Sequence, residues 1–257
     1  MNWKTFYAML SRDGHVARRN LIPTLLQNLL QPLLLTFVFG RVLTSSGMMS
    51  NSYKDILLPG IMALSMTLSG VWAVAMPLIS EFQFTREIED RLLAPMETSW
   101  LAVEKVVAGM VQALVSGLVV IPAAWLTLGA SGVHLSSWHP AQFAATCLLM
   151  ALFSAAGGLW MGVSVGQTQI GLMFSMVLTP MMMFGCAYYP WSALSAFPVL
   201  KYAVLINPLV YASEGMRGSL VPQVPHMPAI ATLGALVLVD VGLLTLGIKK
   251  FNSKAVS

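Results

Sequence analysis

The chain has 257 residues, of which 57% are hydrophobic and only 9% are charged, with a formal net charge of +4. Soluble domains carry roughly 25% charged residues, so this composition excludes a protein whose whole surface faces water. The positive charge does not indicate a nucleic-acid partner, because the basic residues lie between apolar runs and form no basic patch. We expect the lipid bilayer to be the main solvent.

The N-terminal segment, residues 1–20, precedes the first apolar run. Trp3, Phe6, Tyr7 and Leu10 recur at the spacing of one helical face, and lysine and arginine supply charge elsewhere in the segment. This pattern predicts an amphipathic interfacial helix that lies in the headgroup region. The alternative is a solvated helical tail.

Six apolar runs follow the N-terminal segment. They cover residues 21–40, 56–80, 106–128, 141–166, 170–189 and 229–248. At about 1.5 Å per residue, a helix over each run is long enough to cross roughly 30 Å of hydrocarbon. A helix also satisfies its own backbone hydrogen bonds inside lipid. The sequence therefore predicts an all-α, polytopic membrane protein with six transmembrane helices, built as a single domain over residues 1–257.

The placement of lysine and arginine predicts the orientation of these helices. If the N-terminus is cytoplasmic, the cytoplasmic segments carry most of these residues and the outer segments carry few. Cytoplasmic loops of membrane proteins show this excess of positive charge. We therefore expect both termini in the cytoplasm.

Residues 81–105, between the second and third runs, are the most charged segment and are predicted to be cytoplasmic. Charged side chains lead into an apolar tip in the order Glu81, Arg86, Glu87, Glu89, Asp90, Arg91, Leu92, Leu93, Ala94 and Pro95. A solvated connection is one interpretation of this charge. The other is a short helix whose Leu-Leu tip docks in a groove on a partner protein.

Residues 191–228 are too apolar for a solvated loop, yet they contain five prolines together with Lys201, Glu214 and Arg217. This combination prevents an uninterrupted transmembrane helix. Irregular backbone at membrane depth is tolerated only where protein or a cavity covers it. We predict a re-entrant pair of short helices on the outer side, before the last transmembrane helix.

Motifs for chemistry are few. The sequence lacks the Gly-Lys-Ser/Thr loop that holds ATP phosphates, so ATP hydrolysis would need another chain. Ser164, in a G-x-S-x-G motif, and Ser131, in Gly129-Ala130-Ser131-Gly132, suggest an intramembrane serine protease as an alternative function. Asp240, in the middle of the last run, suggests a stand-alone ion-coupled carrier. The four-residue spacing of Ser154, Gly158, Gly162 and Gly166 permits close helix packing, within the chain or in a dimer.

Three stretches resemble a known family. They are Leu58-Pro59-Gly60-Ile61, the charged segment from Arg86-Glu87 to Leu92-Leu93-Ala94-Pro95, and a C-terminal run. That run contains Tyr189-Pro190, then Leu205-Ile206-Asn207-Pro208-Leu209-Val210-Tyr211-Ala212-Ser213-Glu214-Gly215-Met216-Arg217-Gly218. Their order and spacing resemble those of ABC-2-type transporter permeases, closest to the drug and lipo-oligosaccharide exporter branch. Ile88 departs from the pattern, because many members carry glycine there.

The resemblance implies a membrane-spanning exporter subunit without an ATPase site, cofactor or metal of its own, located in the bacterial inner membrane. It implies a homodimer, two copies of a cytoplasmic ATP-binding-cassette ATPase, and an amphipathic, lipid-linked or glycan substrate that moves outward. It assigns ATPase coupling to Arg86, Glu87, Arg91, Leu92, Leu93 and Pro95. It assigns an outer gate to Tyr189, Pro190, Asn207, Pro208, Tyr211, Glu214 and Arg217. Asp240 remains as an isolated intramembrane polar residue.

Overall fold

The structure is a computed structural model that describes residues 3–19, 22–23, 26, 30, 33–34, 37–48, 53–83, 97–128, 139–166 and 169–256. These residues are helical or irregular and include no strand. Half of the first apolar run lies outside the described residues, as does Ser131. The same holds for every predicted coupling residue: Arg86, Glu87, Arg91, Leu92, Leu93 and Pro95.

Helix α1, Trp3–Arg19, forms over the predicted amphipathic segment. Phe6 is only 9% exposed, and its ring meets Trp100 edge-on with the two centroids 6.4 Å apart. Trp3 and Tyr7 are mostly exposed. The apolar face of α1 therefore splits into a part that packs on the protein and a part that is free for another apolar surface, as expected of a helix at the edge of a bilayer.

Four helices among the described residues are long and apolar enough to cross a membrane. They are α2, Tyr53–Gln83; α3, Thr98–Leu128; α4, Pro140–Ser164; and the last helix of the chain, Ala229–Val256. Each covers one predicted apolar run, so the prediction of an all-α polytopic membrane protein is confirmed. Helices α2 and α3 extend into the ends of the predicted segment 81–105, which leaves only residues 84–97 between them.

The helix over the predicted fifth run is shorter than the run. It consists of Ile170–Met173, a π-helical turn over Phe174–Leu178, and Thr179–Met183. The following residues leave the helix, and Cys186 adopts a left-handed backbone conformation with φ of 53°. Residues other than glycine rarely adopt this conformation, which is incompatible with a continuing right-handed helix.

Two more of the described helices pack against this core. Helix α5, Pro208–Leu220, is short, and the last helix, Ala229–Val256, becomes α6. Helix α2 lies at the centre, in contact with α3, α4 and α5, while α6 packs mainly on α4. In the most apolar stretch of α2, 83% is buried within the protein, against 17% for α6.

Small residues let α2 and α4 approach closely. A Cβ atom on Gly158 would lie 2.7 Å from a backbone oxygen of α2, and one on Gly162 would lie 3.1 Å from an α2 backbone carbon. The hydroxyl of Ser154 fills the space beside Gly70 of α2. Three members of the predicted small-residue face therefore serve packing within the chain. The fourth, Gly166, has no atom within 4 Å of its Cβ direction.

Candidate functional site

The predicted gate residues lie in residues 184–228, which we call the cap. After the irregular residues 184–190, the chain forms a 3-10 helix over Trp191–Ala196, an α-helix over Pro198–Ala203 and a 3-10 turn over Val204–Ile206. Helix α5 follows, and residues 221–228 lead to α6. The predicted short helices before the last transmembrane helix are therefore present, and proline occupies the first position of two of them, where its missing N–H costs nothing.

Asn207 explains why an Asn-Pro pair begins α5. Its side-chain oxygen accepts a hydrogen bond from the backbone N–H of Leu209 at 3.0 Å, which caps the helix. Its amide nitrogen donates to the carbonyl of Met181 at 2.7 Å. A carboxamide can do both because it carries an acceptor and a donor. Asn207 thus starts α5 and joins it to the end of the helix that precedes the cap.

Glu214 and Arg217 form a buried ion pair one turn apart on α5. Arg217 also donates to the carbonyl of Cys186 at 2.9 Å. The carboxylate of Glu214 accepts the backbone N–H of Trp191 at 2.9 Å and that of Met227 at 3.0 Å. Two side chains therefore hold together four parts of the cap: the irregular entry, the first short helix, α5 and the exit toward α6.

The burial of this ion pair makes the stability of each charge depend on the other. Both side chains are fully buried, so each would be strongly destabilising without the other. Burial lowers the pKa of Arg217 from its ordinary value, and the neighbouring Glu214 carboxylate opposes that shift. Arginine remains protonated in proteins, so Arg217 keeps its positive charge beside Glu214. The pair is an internal brace of the cap.

Three tyrosine hydroxyls anchor irregular backbone in and beside the cap. Tyr189 donates to the carbonyl of Met183 at 3.1 Å, and Tyr211 donates to that of Leu205 at 2.9 Å. From α2, Tyr53 donates to the carbonyl of residue 188 at 2.7 Å. These carbonyl groups lie at the ends of short helices or in irregular backbone, and each gains a hydrogen-bond partner from a tyrosine hydroxyl.

Gly60 of α2 belongs to the stretch Leu58-Pro59-Gly60-Ile61 of the family resemblance, but it was not among the predicted site residues. A Cβ atom at this position would lie 1.7 Å from the carbonyl oxygen of Ala187, so the cap backbone lies directly against the α2 backbone. Only glycine permits this approach. The signal in the sequence was a glycine within an apolar helix, directly after Pro59, but its partner was not visible there.

Comparisons with known proteins decide the family. A family model described as an ABC-2 type transporter matches residues 4–221. The chain belongs to the ABC-2 transporter family. It is similar to the inner membrane transport permease YadH of Escherichia coli K12, at 26% identity over 239 residues, which cover 92% of this chain and 90% of the relative. The permeases of the same name from Escherichia coli O157:H7 and Shigella flexneri match equally well.

These relatives confirm the resemblance seen in the sequence, and they indicate that this ABC-2 permease is a multi-pass inner membrane protein that functions in transport. The structure brings together most of the predicted gate set. Tyr189, Asn207, Tyr211, Glu214 and Arg217 all brace the cap. Pro190 and Pro208 begin two of its helical segments. Their role as a gate stays a prediction.

The remaining candidates of this ABC-2 permease lie elsewhere. Asp240 is 2% exposed, on α6, and its carboxylate oxygens have no hydrogen-bond partner among the described residues. Ser164 is the last residue of α4, and the chain continues from it in an extended conformation. The nucleophile elbow needs the opposite arrangement, a strand that turns into a helix, so the structure around Ser164 does not support the protease alternative.

Proposed function

We propose that this ABC-2 permease is the membrane-spanning subunit of an ATP-binding-cassette exporter. Two copies of a separate cytoplasmic ATPase drive it, and it works as a homodimer. By family resemblance, the substrate is an amphipathic, lipid-linked or glycan molecule that moves outward. The absence of a Gly-Lys-Ser/Thr loop from the sequence supports a separate motor.

The observation that carries this proposal is the position of α2. This helix has 31 residues, about 45 Å of length at 1.5 Å per residue. Near its N-terminus, Tyr53 and Gly60 contact the cap. Its C-terminus, at Gln83, leads into the segment predicted to bind the ATPase. One helix therefore connects the predicted coupling segment to the predicted gate.

In the proposed mechanism, the ATPase holds the coupling segment in different positions in its two nucleotide states. A conformational change can be driven only through such a difference. Helix α2 transmits the displacement to the cap. Because Glu214 and Arg217 join the parts of the cap, the cap moves as one body. Residues 184–228 would then open and close the exit without internal rearrangement.

The test uses the permease co-purified with its ATPase subunit and reconstituted in vesicles. Charge reversal at Glu87 or Arg91 is expected to lower substrate-stimulated ATP hydrolysis and transport together, with normal membrane insertion. Lys54→Glu, at the opposite end of α2, is the matched control. Unchanged coupling in both loop variants contradicts the assigned contact, and transport without nucleotide or partner contradicts the exporter itself.

A further inference from the structure

A buried ion cluster joins three helices beside the predicted coupling segment. The ammonium group of Lys105, on α3, lies 2.7 Å from a carboxylate oxygen of Asp13 on α1 and 2.7 Å from one of Glu81 on α2. The side chain of Lys105 is 4% exposed, that of Glu81 is 8% exposed and that of Asp13 is 15% exposed. Two of the three charges are thus shielded almost completely from solvent.

The ion cluster lies where the predicted coupling segment begins and ends. Glu81 lies in the last turn of α2, just before residues 84–96, and Lys105 lies in the second turn of α3, just after them. Their ion pair therefore fixes the distance between the two ends of the predicted coupling segment. Asp13 adds α1 to the same point, and the contact of Phe6 with Trp100 holds α1 against α3 nearby.

The energetics of buried ion pairs favour a positional role for these charges. Well-packed apolar residues of similar volume often give a protein equal or greater stability than a buried ion pair, because the charges must be desolvated. An ion pair also depends on direction, because the carboxylates of Asp13 and Glu81 both face the ammonium group of Lys105. The cluster therefore sets the relative positions of three helices, which apolar contacts specify less strictly.

We propose that Lys105 is a positioning residue for energy transfer: through Asp13 and Glu81 it makes α1 and both ends of the coupling segment move as one unit. The inference rests on the proposed exporter function. A displacement of the coupling segment by the ATPase then also displaces α1. Since Trp3 and Tyr7 present an exposed aromatic surface, α1 carries this movement to the membrane surface.

The test variant is Asp13→Asn, which removes the charged contact between α1 and Lys105 and leaves the buried pair between Glu81 and Lys105 intact. Asp13→Glu retains the charge and is expected to couple transport to ATP hydrolysis as the parent does. Asp55→Asn, the same change near the start of α2, is the matched control outside the cluster. The native cysteines, Cys147 and Cys186, are buried, so an exposed cysteine introduced on α1 can be labelled selectively.

Two readouts separate positioning from folding. In the parent with Ser11→Cys, at an exposed position one helical turn after Tyr7, a spin label on α1 is expected to change its accessibility to membrane-soluble oxygen between the nucleotide-free and nucleotide-trapped states. With Asp13→Asn, this change is expected to disappear, and transport per ATP hydrolysed is expected to fall by about fivefold, the effect of a modest electrostatic contact. The amount of protein in the membrane and its binding to the ATPase stay constant.

The outcomes distinguish this inference from the proposed function. If the parent itself shows no ATP-dependent transport, the exporter proposal fails first. If the parent transports and Asp13→Asn keeps the nucleotide-dependent label signal and full coupling, the positioning role of the cluster is wrong. Failure of Asp13→Glu to restore coupling overturns it too, because the charge would then not be the property that matters.

Discussion

Breaking the buried pair of the cap provides the most direct test of its architecture. Arg217→Met leaves the Glu214 carboxylate buried without a counter-ion, and Glu214→Gln leaves the guanidinium in the same state. Removing one partner of a buried ion pair costs about 3–5 kcal/mol. For a chain of this size, each kcal/mol lowers the melting temperature by about 2–4 °C, so each variant is expected to lose roughly 6–20 °C.

The double variant tests whether Glu214 and Arg217 stabilise the cap as a pair. Glu214→Gln with Arg217→Met removes both charges, and only the unmatched backbone groups remain costly. Neighbouring residues in one network show interaction energies of about 0.5–3 kcal/mol, so the double variant is expected to lose clearly less than the two single losses combined. Thermal melting of the detergent-purified protein, followed by tryptophan fluorescence, measures this difference.

Lys201→Met is the matched control for this experiment. Lys201 is a cation in the same segment, but it is partly exposed and contacts the Trp191 ring and the Ser195 hydroxyl. Its removal is expected to cost about 1 kcal/mol or less. Strictly additive losses for Glu214→Gln and Arg217→Met, or losses no larger than that of Lys201→Met, would refute the brace.

Two further predictions concern single positions. Gly60→Ala places a Cβ atom 1.7 Å from the Ala187 carbonyl oxygen and is expected to abolish accumulation of folded protein in the membrane. Gly157→Ala is the control: its Cβ atom would have no atom within 4 Å, so this variant is expected to be neutral or stabilising. Equal behaviour of the two variants would contradict the close crossing of α2 and the cap. Asp240→Leu removes a buried carboxylate and is expected to raise stability by about 1–3 kcal/mol with transport unchanged. A stable but inactive Asp240→Leu protein would support the ion-coupled alternative.

The general fold was predictable because its signals are local. A long apolar run needs no knowledge of its neighbours to indicate a transmembrane helix, and the prolines near residues 198 and 208 mark where short helices begin. The end of the 170–183 helix was harder to predict, because the apolar run continues to residue 189 while the chain leaves the helix after Met183 and adopts a left-handed backbone at Cys186.

The site depends on contacts between residues far apart in the chain, and composition or periodicity cannot reveal these. Asp13 and Lys105 are separated by 92 positions, and the sequence placed them in different segments with no indication of contact. Gly60 and Ala187 meet because two elements cross. Besides the family resemblance, Glu214 and Arg217 were singled out only as charges in an apolar segment. Neither their ion pair nor the backbone N–H groups that bind the Glu214 carboxylate could be predicted from that.

The contrast between α2 and α6 determines what each helix tolerates. Helix α2 touches protein on nearly all sides, and its Ser65, Thr67 and Ser69 are fully buried there. At such positions a larger side chain has no room, whereas a small polar one can bond to nearby backbone: Thr67 donates to the carbonyl of Ala63 in its own helix, and Ser69 donates to that of Gln112 in α3. Helix α6 is mostly uncovered by protein, so lipid would accept side chains of many sizes but few charges. Inherited variation should therefore be limited by volume in α2 and by polarity in α6.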